Sequence, residues 1–477
     1  MSQSEEGSLS YNLPVLVELK GDYHLANFKK AIVAVIERHE ILRTVFKETS
    51  GGEVRQWVLP MEKFQLEIDY KDFREKNNLE TLVYDYVRED NHHSFDLENG
   101  PLLRAALLQA ADDHYVFYYN MHHIVSDAWS LEFLGEEVIA YYQAYQANHA
   151  PDLPPLRIQY KDYAAWRLAQ LESPAVQKHR AYWLDRLSGE LPVIDLPSTK
   201  TRPAIRTHNG QSLQAYLSPE TTQALQTFTL AQRGSLYLTL LAAWNVLLYR
   251  YTAQEDLIIG SPIAGRDQAE LENQIGCYIN SLTLRNSINP QDSFLTFYEK
   301  IKSSTLEAFA HQMYSFDRLV EDLGGIRDMS RSPLFDVLLV LHNAGEKRAM
   351  EGISQEAVKG ITDSGVAGIS FSRIDLEISF EELLNHFSFN ITYNTDVYER
   401  EMVEGLIHHF KQLLDNLLNQ PEMAIGQVDY FTEAEKQKFL VDHNATTVPV
   451  PQDQTVVDLF RAQVANHPTR PALVYRE

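Results

Sequence analysis

Residues 115–134 read YVFYYNMHHIVSDAWSLEFL and decide the fold class. The opening part, Tyr115–Asn120, is rich in aromatic residues, which favour a β-strand. From Leu131 onward the apolar residues recur at helical spacing, so we predict a helix with Ser130 as its N-cap. A strand, a short polar loop and a helix in succession are typical of a mixed α/β protein.

Strand and helix patterns alternate over the rest of the chain. Leu103–Leu108 is apolar and is separated from Tyr115–Asn120 by Asp112-Asp113, which predicts an antiparallel pair around a turn. Apolar residues at helical spacing predict helices at Phe28–Ile36, Leu236–Tyr249 and Met402–Leu417. The remaining predicted strands are Val15–Leu19, Leu257–Ile259, Tyr278–Leu284 and a hairpin of Phe371–Phe380 with Phe387–Tyr393 around Leu384-Asn385-His386.

The composition excludes several classes of protein. The 477 residues carry a net charge of −24 and a pI near 5.1, which argues against nucleic acid and acidic membrane surfaces as partners. A single cysteine, Cys277, excludes a disulfide framework and a multi-thiolate zinc site. The N-terminus has no apolar core of the signal-peptide kind, and Leu236–Tyr249 is too short to span a bilayer. We therefore expect a cytoplasmic protein.

Three His-His pairs are candidates for chemistry. His408-His409 lies on a predicted amphipathic helix, where a solvated face is expected, and His92-His93 lies in a polar segment that predicts a surface loop or helix end. His122-His123 differs because it joins the aromatic strand to the following helix and is followed by Asp127. A histidine positioned by a carboxylate has the parts of a general base, but on spacing alone a structural histidine stays open as the alternative.

Other chemistries have weaker support. No histidine or carboxylate occurs at metal-ligand spacing on a second element, so we predict no metal site. Gly260-Ser261-Pro262 lacks the second glycine of a hydrolase nucleophile elbow, and no phosphate-binding glycine loop is present.

Residues 121–130, MHHIVSDAWS, resemble the His-His-x-x-x-Asp-Gly motif of nonribosomal peptide synthetase condensation domains. Other stretches resemble further signatures of that family and follow its order over about residues 8 to 430. They are RHEILRTVF (38–46), YKDYAAW (160–166), GSPIAGR (260–266), IGCYINSLTLR (275–285), HQMYSF (311–316), SPLF (332–335) and YNTD (393–396). Such ordered co-occurrence is far more specific than one motif.

The resemblance implies two chloramphenicol-acetyltransferase-like lobes that form a V around a central tunnel. The implied boundaries are 1–165 for the first lobe, 166–430 for the second and 431–477 for a linker with the start of an adenylation domain. Two proline-rich stretches, 149–155 and 196–203, are the expected crossings between lobes. The tail stops before any nucleotide-binding motif, so we expect a piece of a longer assembly-line enzyme without ATP chemistry.

The resemblance also implies the reaction and its residues. Upstream donor and downstream acceptor carrier proteins insert phosphopantetheine arms from opposite faces, and the domain, expected to be monomeric, binds no cofactor of its own. His123 corresponds to the catalytic second histidine, acting as base or as positioner, and His122 belongs to the same motif. Asp127 is expected to pair with Arg266 as structural support. The residues expected to shape the tunnel are Ala128, Trp129, Ser130, Asn280 and Ser281.

The chain departs from the family pattern at two places. Ala128 replaces the glycine after the aspartate, and its methyl group would narrow the passage, or cost about 1 kcal/mol if φ is positive there. The segment that usually precedes the equivalent of Tyr11-Asn12-Leu13-Pro14 is missing, which puts the completeness of the donor side in doubt.

The motif variants favour the subtype that joins an L-configured donor to an L-acceptor. Trp129 differs from the epimerisation pattern, and His122 differs from the heterocyclising pattern, which has aspartate there. Two alternatives stay open: a silent docking platform of the same fold, which Ala128 and the short N-terminus allow, and a free-standing acyltransferase that uses coenzyme A.

Overall fold

The structure is a computed structural model that describes residues 8–76, 78–325, 328–342, 358–360, 370–382, 386–447 and 453–473. The chain divides into two compact units, Met1–Tyr430 and Phe431–Glu477. The strands are β1 (Asn12–Lys20), β2 (Thr44–Glu48), β3 (Val54–Val58), β4 (Ile68–Asp72), β5 (Leu103–Ala111), β6 (His114–His122), β7 (Asn209–Tyr216), β8 (Asp256–Ile263), β9 (Asn280–Ser287), β10 (Val337–His342), β11 (Val358–Gly360), β12 (Ser370–Phe371), β13 (Leu376–Glu382) and β14 (Phe387–Asn394).

The helices of the first unit lie between these strands along the chain, and the last helix follows β14. They are α1 (Leu25–Arg38), α2 (Leu79–Asn91), α3 (Ala128–Gln146), α4 (Tyr160–Glu172), α5 (Gln177–Arg186), α6 (Pro219–Ala231), α7 (Leu236–Thr252), α8 (Phe294–Ala310), α9 (Phe316–Asp322) and α10 (Arg400–Asn419). The second unit contains α11 (Glu433–Gln437) and α12 (Val456–Asn466).

A five-stranded sheet with the order β11-β1-β6-β5-β4 forms the first lobe. The antiparallel pairing of β5 with β6, in which Leu107 faces Phe117, confirms the predicted pair around Asp112-Asp113. On α1 the predicted apolar stripe is buried, and the ring of Phe28 meets that of Phe117 edge to face at 4.9 Å. Packing of this stripe against the sheet is what stabilises the helix.

A seven-stranded sheet with the order β12-β7-β14-β13-β10-β8-β9 forms the second lobe. The predicted hairpin is confirmed by the pairing of β13 with β14, in which Leu376 faces Tyr393, whereas the predicted connecting residues Leu384-Asn385 lie outside the described residues. The predicted helices at Leu236 and Met402 are α7 and α10. They pack together where Trp244 stacks on Phe410 at a centroid distance of 4.5 Å.

The first sheet includes two strands that the sequence did not predict, β4 and β11. β11 comes from the second half of the chain, yet it pairs antiparallel with β1, with Val15 opposite Gly360. The chain therefore crosses between the sheets at residues 358–360 as well. The predicted crossings at 149–155 and 196–203 contain neither helix nor strand, and the predicted boundary between residues 165 and 166 lies inside the continuous helix α4.

Three local predictions were wrong. Ser130 is not the N-cap of α3, because the helix begins at Ala128 and Asp127 is the cap, its Oδ1 accepting from the Ser130 N–H at 2.9 Å. His409 is not solvated: it is buried and bonded to the hydroxyl of Tyr251, although its neighbour His408 is exposed. β9 begins at Asn280 rather than Tyr278.

No helix within the described ranges has both the length and the apolar character needed to cross a bilayer.

Candidate active site

The His122-His123 pair is held at the end of the central strand β6. The His123 N–H donates to the carbonyl of Tyr11 at 2.8 Å, and His122 Nδ1 accepts from the Ile124 N–H at 3.1 Å. The ring of Tyr11 stacks on His122 at 5.9 Å and meets His123 edge-on at 6.5 Å. Because strand pairing and ring contacts fix both imidazoles, neither is free to reorient.

The structure brings the predicted partners Asp127 and Arg266 together. Arg266 Nη2 donates to Asp127 Oδ1 at 2.9 Å and to Oδ2 at 3.2 Å, and the two side chains are 3% and 1% exposed. Asp127 Oδ2 also accepts from the Tyr278 N–H at 3.0 Å. Both carboxylate oxygens of Asp127 accept hydrogen bonds from protein groups, so neither is available to a substrate. A buried carboxylate bonded in this way supports the structure.

Ser130 joins this ion pair to the loop before β9. Its hydroxyl is 2.7 Å from Asp127 Oδ1 and 2.9 Å from the Gly276 carbonyl, and it accepts from the Gly276 N–H at 3.0 Å. A Cβ on Gly276 would lie 2.2 Å from the ring of Tyr160, so only glycine fits there. Ser130 therefore fixes the backbone of the loop that approaches the histidines.

The residue after Gly276 reaches the catalytic candidate. Cys277 Sγ lies 3.9 Å from His123 Nδ1, and the Cys277 carbonyl accepts from the Tyr160 hydroxyl at 2.8 Å. Burial raises the pKa of the Cys277 thiol to about 12, so the thiol is protonated at neutral pH. A protonated thiol beside an imidazole is a packing contact rather than a nucleophile–base pair.

Both imidazoles are held in the neutral form. Burial, and after it the charge of Arg373, lowers the pKa of His123 to about 4, with Asp127 opposing the shift weakly. The same two causes lower the pKa of His122 to about 4. At neutral pH His123 can therefore accept a hydrogen bond or a proton, but it cannot act as a cation.

Sequence reasoning missed Arg373. It lies between β12 and β13, and its Nε donates to the carbonyl of Ser10 at 2.8 Å, next to Tyr11 and the histidines. No motif marks it, and about 250 residues of chain separate it from His123. Only the fold places the two side chains together.

The predicted tunnel residues have different roles. Ala128 is the first residue of α3, so its backbone is in the right-handed helical conformation and the strain of a positive φ does not arise. Its side chain is exposed. Trp129 is 44% exposed, and its indole N–H donates to the Glu272 carbonyl at 3.0 Å. Asn280 bonds to the carbonyls of Gln312 and Tyr314, so it anchors that loop.

Ser281 lies within the β8–β9 ladder opposite Pro262. Within the described part of the chain, no group of three or more His, Cys, Asp or Glu side chains is arranged to hold a metal ion.

The comparisons with known proteins place this site in a family. The sequence profile of the condensation domain matches residues 1–440. This chain belongs to the condensation domain family. The predicted resemblance to condensation domains of nonribosomal peptide synthetases is thereby confirmed, and with it membership in a family of acyl transferases.

Two bacterial relatives illustrate the match. The chain is 34% identical over 465 residues to tyrocidine synthase 3 of Brevibacillus parabrevis, covering 97% of this chain and 7% of that protein. It is 33% identical over 481 residues to bacitracin synthase 3 of Bacillus licheniformis, covering all of this chain and 7% of that protein. The condensation domain described here thus spans less than a tenth of either relative.

Solved structures share the fold. The X-domain from teicoplanin biosynthesis superposes with a TM-score of 0.78 at 22% identity, covering 90% of this chain and 97% of that one. The starter condensation domain of rhizomide synthetase superposes with a TM-score of 0.74 at 19% identity, covering 89% and 93%. The predicted fold class, mixed α/β with two acetyltransferase-like lobes, is confirmed.

Proposed function

We propose that this domain forms a peptide bond between two carrier-bound substrates. The amine of the acceptor aminoacyl group attacks the carbonyl carbon of the donor thioester, so that a C–N bond forms and the C–S bond breaks. The donor pantetheine leaves as a thiol, and the amine loses one proton. Aminolysis of a thioester needs little activation, so aligning two tethered reactants can supply much of the rate.

The observation that carries the proposal is the half-buried, neutral imidazole of His123 at the meeting point of the two lobes. With Cys277 facing Nδ1, the ring nitrogen left to meet a substrate is Nε2. A base with a pKa near 4 is too weak to deprotonate an ammonium group efficiently. We therefore assign His123 to accepting a hydrogen bond from the neutral amine and orienting it, with proton transfer following C–N bond formation.

The ion pair of Asp127 with Arg266 is assigned to support. It fixes the N-terminus of α3 and the loop at Gly276–Tyr278, and through Cys277 it fixes one side of the His123 ring. A charge that is fully paired in this way has no lone pair to offer a substrate.

The finer assignment rests on the motifs. The DAWS ending (127–130), RHEILRTVF (38–46) and SPLF (332–335) favour the subtype that uses an L-configured donor and an L-acceptor, and His122 differs from the heterocyclising pattern. We propose upstream and downstream carrier proteins as partners, each supplying a phosphopantetheine arm, in a cytoplasmic enzyme whose condensation domain acts as a monomer.

We also propose that an adenylation domain adjoins this domain in the full-length enzyme. Helix α12 carries apolar side chains that are exposed in its own unit, as expected of a segment that packs on further chain. They are Val456, Val457, Leu459, Phe460 and Val464.

The experiment is a dipeptide-formation assay with donor and acceptor carriers loaded with aminoacyl groups, comparing the parent with His123→Ala. His408→Ala is the matched control, because His408 is an exposed histidine on α10. We expect His123→Ala to lower turnover about a hundredfold through loss of alignment and His408→Ala to leave it unchanged.

The same assay separates the alternatives when coenzyme A thioesters are offered in parallel. Product from carriers alone supports peptide-bond formation within an assembly line, and product from both supports a free-standing acyltransferase. The absence of product from either, with the protein folded, would support a docking platform of the kind that Ala128 keeps open.

A further inference from the structure

A cavity of about 460 Å³ lies next to the candidate active site. Helix α4 contributes Arg167 to its wall, the start of α7 contributes Ser235 and Tyr237, and the segment after Cys277 contributes Tyr278. Tyr278 follows Cys277, which contacts His123, and the lining residue Arg266 pairs with Asp127 of the same motif. Its volume is that of a site for a small molecule or a side chain.

The Tyr278 hydroxyl is a hydrogen-bonding group without a partner. The residue is 2% exposed, and no acceptor or donor within the described residues bonds to its hydroxyl. The ring is fixed by Tyr163 at a centroid distance of 4.7 Å and by the guanidinium of Arg266 at 4.2 Å. A buried hydroxyl that is held in place and unsatisfied is destabilising unless a ligand pairs with it.

Arg167 adds a cation to the same wall. Its Nη1 lies 3.2 Å from the thioether sulfur of Met313, which is a weak acceptor for a group with five N–H donors. Within the described part of the chain no carboxylate pairs with Arg167. The other charged groups on the lining are Arg266, which Asp127 neutralises, and Asp267, which is exposed. Arg167 is therefore the lining cation that no carboxylate contacts within the described residues.

The N-terminus of α7 strengthens this preference. The helix has 17 residues and begins after Ser235, whose side chain caps only the N–H of Leu238. The first turn of such a helix carries positive potential and free N–H donors, which favours negative charge nearby.

We propose that this cavity binds the acidic side chain of a carrier-bound aminoacyl substrate, with Arg167 and Tyr278 as its donors. The inference rests on the proposed function and adds a substrate class to it. A phosphate of the pantetheine arm has similar chemistry, but it lies at the far end of the arm from the thioester. A side chain lies beside the thioester, and the cavity is lined by Arg266, the partner of Asp127 in the His123 motif.

The test measures binding of soluble ligands and needs no turnover. Pantetheine bearing aspartyl, glutamyl, asparaginyl or glutaminyl groups through a stable amide is titrated calorimetrically, each with and without the phosphate. The proteins are the parent, Arg167→Gln and Tyr278→Phe, with Arg157→Gln as control because Arg157 is 81% exposed and does not line the cavity. Melting curves verify that each variant is folded, and Arg167→Met replaces Arg167→Gln if that variant is not, since it also removes the cation.

We expect the acidic ligands to bind the parent about tenfold more tightly than their amides, as charge-assisted bonds allow. Arg167→Gln and Tyr278→Phe should each reduce that preference, and Arg157→Gln should keep it. Three results would overturn the inference. The parent could show no preference for the acidic ligands, its affinity could depend on the phosphate instead, or Arg157→Gln could reduce the preference as much as Arg167→Gln does. Intact preference with no dipeptide product would overturn the proposed function alone, and dipeptide product without preference would overturn this inference alone.

Discussion

Arg373 Nε donates to the Ser10 carbonyl at 2.8 Å, and this bond attaches the β12–β13 turn to the segment that precedes β1. The ring of the next residue, Tyr11, contacts both His122 and His123. One arginine of the second lobe thus sets the position of a first-lobe segment and also the charge near His123.

Replacing Arg373 by methionine should move the acid limb of the kcat/KM profile to higher pH by about one unit, because loss of the cation raises the pKa of His123. The groups that face this imidazole are Arg373, Asp127, Cys277, His122 and Tyr11. Arg373→Lys keeps the charge and should keep the parent profile. Matching profiles for the methionine and lysine variants would show that the charge has no effect on His123.

The histidine pair should make the protein sensitive to acid. Both imidazoles have a pKa of about 4 in the folded state and 6.5 in the unfolded chain, so below pH 6.5 the unfolded state binds more protons. The free energy of unfolding should therefore fall by about 1.4 kcal/mol per pH unit for each histidine between these values, and it should not change on this account above pH 6.5. Urea titrations at several pH values measure the slope.

His122→Asn is the informative variant for that slope. It removes one of the two imidazoles whose pKa is lowered and should roughly halve the pH dependence, while the exposed His408→Asn should leave it unchanged. An unaltered slope in His122→Asn would refute the assignment of acid sensitivity to this pair.

The buried ion pair should dominate stability near the site. Asp127→Ala and Arg266→Ala should each lower the free energy of unfolding by about 3–5 kcal/mol, because each leaves a buried charge without its partner. Turnover should fall with stability, since both changes release the Gly276–Tyr278 loop.

The double variant provides the control for that coupling. Removing both partners should cost less than the sum of the single changes. The exposed pair of Glu53 with Arg55 gives the contrast: Glu53→Gln should cost less than about 1 kcal/mol. Additive costs at Asp127 and Arg266 would mean that the two charges do not stabilise each other.

Restoring the family glycine at position 128 should not rescue a hidden activity. Ala128 is in the first turn of α3, so Ala128→Gly should lower the free energy of unfolding by up to about 1 kcal/mol. Turnover in the dipeptide assay should stay within about twofold of the parent, because the methyl group of Ala128 is exposed and does not strain the backbone. A large gain in turnover would instead identify the methyl group as an obstruction.

The predictions that succeeded concern neighbours in sequence. The β5–β6 pair, the helix that carries Phe28 and the hairpin of β13 with β14 each follow from a local apolar pattern. The spacing of the apolar residues along the chain is enough to distinguish such a strand from a helix. The errors concern choices that distant contacts decide. Asp127 and Ser130 can both cap a helix, and the contact of Ser130 with Gly276 leaves Asp127 as the cap.

The site was predictable only as far as the motifs extend. His123, Asp127 and Arg266 belong to recognisable strings, but His409 is buried by Tyr251 and Arg373 reaches the histidines through the fold. Periodicity carries no information on such long-range contacts, because they depend on how the two sheets meet.

The three-residue strand β11 and the Ser130–Gly276 bonds both join the halves of the chain. An engineer who exchanges one half for that of a relative would leave His123 with foreign neighbours at positions 277 and 373, and Ser130 with one at 276. Recombination breakpoints for new assembly lines therefore belong outside the span from Ser10 to Asn394, which keeps these bonds and that of Arg373 with Ser10 within one parent.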